Sequence, residues 1–513
     1  MQHFLAFSYN VHDSSVSIAD EGRALLVLEA ERFFGVKKQR CTHAEMETLV
    51  AAALAFVGIG IDDIEGVACT AYQNEHLPAE LRNIKWLANA RITLAGRTFE
   101  TLVLNHHLAH AAMVHAFPGQ GDVVIDVCDG GGDFGDTHAI YRARAGRLEQ
   151  LPNQSIHDAF SSRFYDIVSR YLYGGIMCEG KLMALASLAP PRAEMMAFIR
   201  EHLPLFHAAP PEASCAELRR RFPVESYLTS ETAFALAASA QRVFEELRVE
   251  SVAALPSAAP SVLLAGGATL NILANSAVRR FLGAERALLL PPCCDDTGQS
   301  LGALLYYCHE RVGARITAAM PFLGYADSLD EGRLGPEDVS DELVSHLERG
   351  GLVFLHRGQA EIGPRALGHR SILALPTRRS YDLINHVIKQ REFYRPLAPL
   401  VPREAVSEWF DWQGESKYML YAASVKTATR VAAPGICHYD DSARIQTVDA
   451  AEDAFLHRLL RRVGEATGVP LLINTSLNPR GSPILSKLEA TRKFAASQRG
   501  LGVRVFHGGR LEP

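Results

Sequence analysis

DVVIDVCDGGGDFGDTHAIYRARAGRLEQL, residues 122–151, runs from a short apolar strand through an acidic, glycine-rich turn into a second strand and a turn at Ala145-Gly146. The stretch HFLAFSYNVHDSSVSIADEGRALLVLEAERF, residues 3–33, follows the same plan. Its apolar runs of strand length are separated by turn residues at Asp13, Ser14 and Glu21-Gly22, which predicts two antiparallel strands joined by a tight turn. A strand, acidic turn and strand unit that occurs twice predicts a duplicated α/β domain. Between the copies, THAEMETLVAAALAFVGIG has helical spacing, with Thr42 as N-cap and Glu45 as its capping-box partner. After them, PSVLLAGGATLNILANSAVRRFL predicts a strand that turns at Gly266-Gly267 into a helix. Such glycines either admit a ligand close to the backbone or simply make a tight turn.

The chain has 513 residues, more than one core holds, so two domains are expected. Turn signals in PFLGYADSLDEGRLGPEDVSD put the boundary between Pro321 and Leu352, giving domains over 1–335 and 336–513. An apolar fraction of 48% with 21% charged residues is that of an ordinary globular protein. A net charge of -6 argues against nucleic acid as a partner, while leaving local basic clusters free for small phosphorylated ligands. Nine cysteines without CxxC spacing fit reduced thiols. With no basic n-region at the amino terminus and no apolar run of about 18 residues, the expectation is a cytoplasmic protein with no membrane association.

Four histidines lie in LNHHLAHAAMVHAF, from Leu104. On a helix His106 and His110 share one face, His107 points about 100° away, and His115 lies beyond. Asp129 closes an apolar strand, and Asp296 in PPCCDDTGQSLGALLYY precedes a helix of small residues. Each alone suits a core helix, a turn or a cap; together they make an N2O2 site for Fe(II), Zn or Mn, among which ligand softness does not choose. In the carboxyl-terminal part, Arg365, Lys389 and Arg395 are interleaved with glycines and prolines that fix loop shape, an arrangement suited to phosphate capture or to a solvated basic surface. Arg444 follows in DDSARIQTVDA. The apolar strand in VPLLINTSLNPRGSPI ends in a polar cup with Asn474 and Ser476.

The ordered set HDSSVSI, NHHLAHAA, DGGGD, EGKLMALA, LAGGATLNILANS, DDTGQSLGAL, GQAEIGPRALGHRSILALP, KQREFYRPLAP, ARIQTV and LLINTSLNPRGSPI resembles the O-carbamoyltransferase family of antibiotic and nodulation-factor biosynthesis. The resemblance implies a duplicated ASKHA-type domain, like those of actin-like ATPases and the tRNA threonylcarbamoyl transferase, followed by a YrdC-like α/β domain. It implies that carbamoyl phosphate and ATP give carbamoyladenylate with loss of pyrophosphate, and that the carbamoyl group passes to a hydroxyl, or less readily an amino group, of a small natural product.

By the same resemblance His106, His110, Asp129 and Asp296 hold a divalent metal, Fe(II) first with Zn or Mn as alternatives, and His12 is the general base. Asp129, Gly130, Gly267, Asn271, Asp296 and Ser476 touch ATP or the adenylate, with Mg accompanying ATP. Lys38, or Lys37 in its place, joins Arg365, Lys389, Arg395, Arg444 and Asn474 around carbamoyl phosphate, with Arg365 preferred to Arg370. Two departures stand out: Asp440-Asp441-Ser442 where the family reads Asp-Gly-Thr, and one extra residue in ERFFGVKKQR. The added carboxylate either repels phosphate or points to solvent. Acceptor choice is expected in segments 72–97 and 201–230, and a homodimer is compatible with the reading. The competing readings are a small-molecule kinase on the same framework, which needs neither HxxxH nor the arginine-rich part, and a nucleotide-binding regulator without turnover.

Overall fold

The computed structural model describes residues 2–72, 81–153, 161–327 and 339–512. The expected boundary at 335/336 and part of the 72–97 segment lie outside the described residues. The amino-terminal part is built on two sheets of one plan. In the first, β1 (His3–Ser8), β2 (Ser15–Asp20) and β3 (Ala24–Glu29) form an antiparallel meander. Then β4 (Ile64–Thr70) lies parallel to β1, and β5 (Leu87–Leu94) and β6 (Arg97–Leu104) complete the order β3-β2-β1-β4-β6-β5. In the second, β7 (Asp122–Cys128), β8 (His138–Arg144) and β9 (Arg147–Leu151) form the meander, and β10 (Ser261–Ala265) and β11 (Ala287–Leu289) run parallel to β7.

The expected duplication of the α/β plan is therefore present, with three meander strands per copy where two were expected. The extra strand in each copy follows from a second turn. Ala145 and Gly146 have φ of 53° and 76°, the left-handed pair that a two-residue hairpin requires. Along β7 nearly every side chain is buried, as expected of a strand covered on both faces.

The His43–Val57 helix carries the expected capping box between Thr42 and Glu45. Residues 161–254 add a helical layer with its own core, including Phe164, Ile199, Phe206 and Phe244, and the 201–230 segment falls within it. The carboxyl-terminal part is a seven-stranded mixed sheet. Its inner strands, Leu352–His356, Arg370–Ala374, Ala398–Pro402 and Leu472–Ser476, are almost wholly buried. No helix among the described residues is long and apolar enough to cross a membrane.

The two parts are latched by a buried contact. Arg32 pairs with Glu29 at 2.6 Å and donates to the carbonyls of Glu361 and Gly363, while the Gly363 N–H donates to Glu29. Gly363 has φ +90°, and a Cβ there would lie 2.4 Å from the Pro292 carbonyl. The loop that carries Arg365 is thus pressed against the strand end that leads to Asp296.

Candidate functional site

Asn105 caps the His106–Ala112 helix by accepting from the Leu108 N–H, and the helix buries both His106 and His110 on one face. Asp129 leaves the end of β7, and Asp296 opens the turn into the Gln299–Tyr306 helix. The four donor atoms lie within 4.8 Å of one another. His106 Nε2 is 3.3 Å from both Asp129 Oδ2 and Asp296 Oδ1, and His110 Nε2 is 2.9 and 3.3 Å from the same atoms. Four ligands at about 2.1 Å around a tetrahedral cation would be about 3.4 Å apart, so this donor set fits a transition metal. Burial disfavours the charged form of His106, but Asp296 and the hydrogen bonds to both carboxylates outweigh it and raise the ring to about 10. A group of this polarity at this depth suits a cation better than a core.

What brings Asp296 to the histidines is a close helix crossing. A Cβ at Gly302 would lie 2.0 Å from the Ala109 carbonyl, so only glycine lets the helix of His106 and His110 meet the helix that follows Asp296. Gly302→Ala is therefore expected to part them, destabilising the protein by about 1–3 kcal/mol. Metal titration of the variant should show weakened binding; unchanged affinity would remove the crossing from the account.

Glycines of the DGGGD turn serve neighbouring side chains. A Cβ at Gly131 would meet the Tyr72 hydroxyl at 2.7 Å, and one at Gly132 would meet the His107 ring at 2.6 Å. His107 thus supports the turn without joining the quartet. Asp133 ties the turn to the helix by accepting from the His106 and Ile84 N–H groups. His115 pairs with Glu310 and stacks on His309, a structural role. Gly130 faces open space, and Gly267 leaves room for Asp129, whose Oδ1 would lie 3.0 Å from a Cβ there. Asn271, expected at the nucleotide, exchanges hydrogen bonds with Gln241 and caps the Ile272–Leu282 helix.

His12 stands at the edge of the quartet, with Nδ1 2.9 Å from Asp13 and 3.6 Å from Asp296. Burial works against its charged form, yet Asp296 and the hydrogen bond to Asp13 raise it to about 9. Lys38, in a left-handed turn at φ 57°, places Nζ 2.5 Å from Asp13 and 4.0 Å from Asp295. It therefore belongs to this site. Lys37 lines a separate cavity, so of the two lysines the alternative one faces the expected phosphate pocket.

That cavity, about 440 Å³, lies between the amino- and carboxyl-terminal parts. Arg365, Lys389, Arg395, Arg444 and Asn474, expected around carbamoyl phosphate, and Ser476, expected at ATP, all line it. Arg391, Lys181 and His438 line it too and were not singled out. Lys181 comes from EGKLMALA, where its sequence neighbours suggest only a helix. Burial and then the neighbouring guanidinium groups of Arg365, Arg391 and Arg395 push Arg444 well below its ordinary range. Burial and Arg395 likewise lower Arg391. Arg365 and Arg444 each keep a buried Nε without a hydrogen-bond partner, and Asn474 a buried Oδ1. Lys389 is held by Ser476 and Asn478. Arg370 lies outside the cavity lining and donates to the backbone carbonyls of Arg357 and Gly358.

The Asp440-Asp441-Ser442 departure is also resolved. Asp441 adopts φ 59°, the conformation a glycine would take, and turns its carboxylate outward to Arg430 at 2.5 Å. Asp441 is not among the residues that line the cavity.

Residues 344–503 match the family described as Carbamoyltransferase C-terminus. Nodulation protein U of Sinorhizobium fredii is 27% identical over 92% of this chain and 92% of its own length. The 3'-hydroxymethylcephem-O-carbamoyltransferase of Amycolatopsis lactamdurans is 32% identical over 54% of this chain and 53% of its own length. Among solved structures, (R)-2-hydroxyglutaryl-CoA dehydratase component A of Acidaminococcus fermentans overlays with a TM-score of 0.37 at 13% identity, over 61% of this chain and 100% of that one.

Proposed function

The chain belongs to the O-carbamoyltransferase family and is an enzyme, and from that premise we propose that it makes carbamoyladenylate from carbamoyl phosphate and ATP and delivers the carbamoyl group to a hydroxyl of a small natural product. The observation that carries this reading is the cavity of mutually repelling, buried guanidinium groups beside a buried His2Asp2 quartet. Among the described residues Glu392 is the one carboxylate lining the cavity, and it pairs with Lys181 at 2.9 Å, so the remaining guanidinium groups leave an excess of buried positive charge that favours phosphate. Arg365 and Arg444 supply unspent donors, Arg391 and Arg395 add charge, and Lys37 closes the side nearest the amino-terminal domain.

His106, His110, Asp129 and Asp296 would hold a divalent cation, which when bound supplies Lewis-acid polarisation of the adenylate. His12 then takes the proton of the attacking hydroxyl, with Asp13 orienting the ring through Nδ1. With Asp296 holding a divalent cation, its carboxylate would no longer act on His12 as a bare charge, and the imidazole would fall toward the range of a base. Lys38 pairs with Asp13 and lies 4.0 Å from Asp295, and its charge opposes part of the rise that Asp296 and Asp13 impose on His12.

The direct test supplies ATP, carbamoyl phosphate and candidate acceptors and follows nucleotide products. AMP and pyrophosphate are expected. ADP with a phosphorylated acceptor would replace this reading with the kinase. Acceptors are best sought as metabolites that gain a carbamoyl group.

A further inference from the structure

Two hydrogen-bond donors beside the quartet have no work in the scheme above. Tyr72 follows β4 as His12 follows β1, and these strands are parallel neighbours, so the two loops rise from one edge of the sheet. The Tyr72 ring lies against the ligand ring of His106, with centroids 5.0 Å apart. Its hydroxyl reaches the backbone of the turn that follows Asp129, in the space kept open by Gly131, and no described residue hydrogen-bonds to it. Arg163, next to the Ser162 hydroxyl that donates to the Asp129 carbonyl, leaves its Nε buried and unpartnered. Arg163 is close enough to Tyr72 to bear on its charge.

The quartet itself offers these two groups no partner to share, because its carboxylates are already engaged by His106 and His110. A phenol is an ordinary hydrogen-bond donor near neutral pH, so Tyr72 acts here as a neutral group. Two unspent donors at one edge of a buried centre call for a ligand rich in oxygen.

We propose that Tyr72 and Arg163 are the donor pair of the transfer step, Tyr72 binding the carbamoyl carbonyl oxygen and Arg163 an oxygen of the phosphate that leaves. This rests on the carbamoyladenylate reading. The acceptor oxygen bonds to the carbamoyl carbon, and its proton goes to His12. The bond from that carbon to the phosphate oxygen then breaks, with the electron pair leaving on AMP. Tyr72 keeps its proton throughout and strengthens its hydrogen bond as negative charge gathers on the carbonyl oxygen.

The test uses the full-length, metal-loaded enzyme with ATP and carbamoyl phosphate, water serving as the acceptor. Pyrophosphate release reports adenylate formation, AMP release its consumption, and metal per chain is measured alongside. Tyr72→Phe keeps the ring on His106 and is expected to slow AMP release by about 10²-fold with the first-turnover pyrophosphate and bound metal unchanged. AMP release within about twofold of the parent, or a loss that follows loss of metal, overturns the role of Tyr72. Arg163→Met keeps the apolar stem and is expected to weaken binding of AMP alone by about tenfold. Equal AMP affinity overturns the role of Arg163. If the parent enzyme releases no pyrophosphate, the carbamoyladenylate reading itself fails, and the proposal for Tyr72 falls with it, while the AMP titration still decides Arg163.

Discussion

Arg444→Ala is expected to cut pyrophosphate release from ATP and carbamoyl phosphate by about 10³-fold while leaving the ligand-free protein slightly more stable, by roughly 2 °C in melting temperature. The two effects have one cause. Arg444 is buried beside Arg365, Arg391 and Arg395, and its charge is opposed by all three. Removing it relieves that repulsion in the free protein and takes a donor from the phosphate in the complex, the usual opposition of stability and function at a preorganised site. Phosphate is also expected to raise the melting temperature of the parent more than that of the variant, because ligand binding stabilises only the state that binds. A variant that lost both stability and activity would make Arg444 a packing residue, and the cavity would then need another explanation.

His110→Ala is expected to break the other half of the reaction. It removes one of two imidazoles that separate Asp129 from Asp296, leaving a pair of buried carboxylates with less compensation. Bound metal should be lost, and transfer to any acceptor should fall by at least about 10³-fold, the equivalent of about 4 kcal/mol. First-turnover pyrophosphate release should survive, because the arginine cavity does not include His110. Full transfer activity without metal would show that the quartet has another purpose. Taken with Arg444→Ala, this variant separates the two steps: one stops before the adenylate and the other after it.

The parts of the site that could be read from the sequence are those set by local geometry. His106 and His110 share a helix face because of their spacing, and Asp129 and Asp296 sit at a strand end and a helix start that their neighbours announce. The duplicated fold was legible for the same reason, although the outer strand of each meander was undercounted. Lys37 and Lys38 show where this stops. They are adjacent, but Gly35 and Lys38 itself take left-handed conformations, and the resulting turn sends the two side chains to different sites. Nothing local indicates which goes where.

Gly131, Gly132 and Gly302 make the same point: each is required by a group distant in sequence, namely Tyr72, His107 and Ala109. Asn271 has the residue type and position of a ligand contact, yet its amide is committed to Gln241. Asp13 and Asp295 were overlooked because their importance lies in what they hold, Lys38 and His12, rather than in any spacing.

The latch formed by Glu29, Arg32 and Gly363 limits how such a chain can be rebuilt. A carboxyl-terminal half grafted from elsewhere would have to present two carbonyls to Arg32, an N–H to Glu29, and a glycine against Pro292. The halves are therefore not interchangeable modules: exchange of a whole half would have to reproduce every one of these contacts at once.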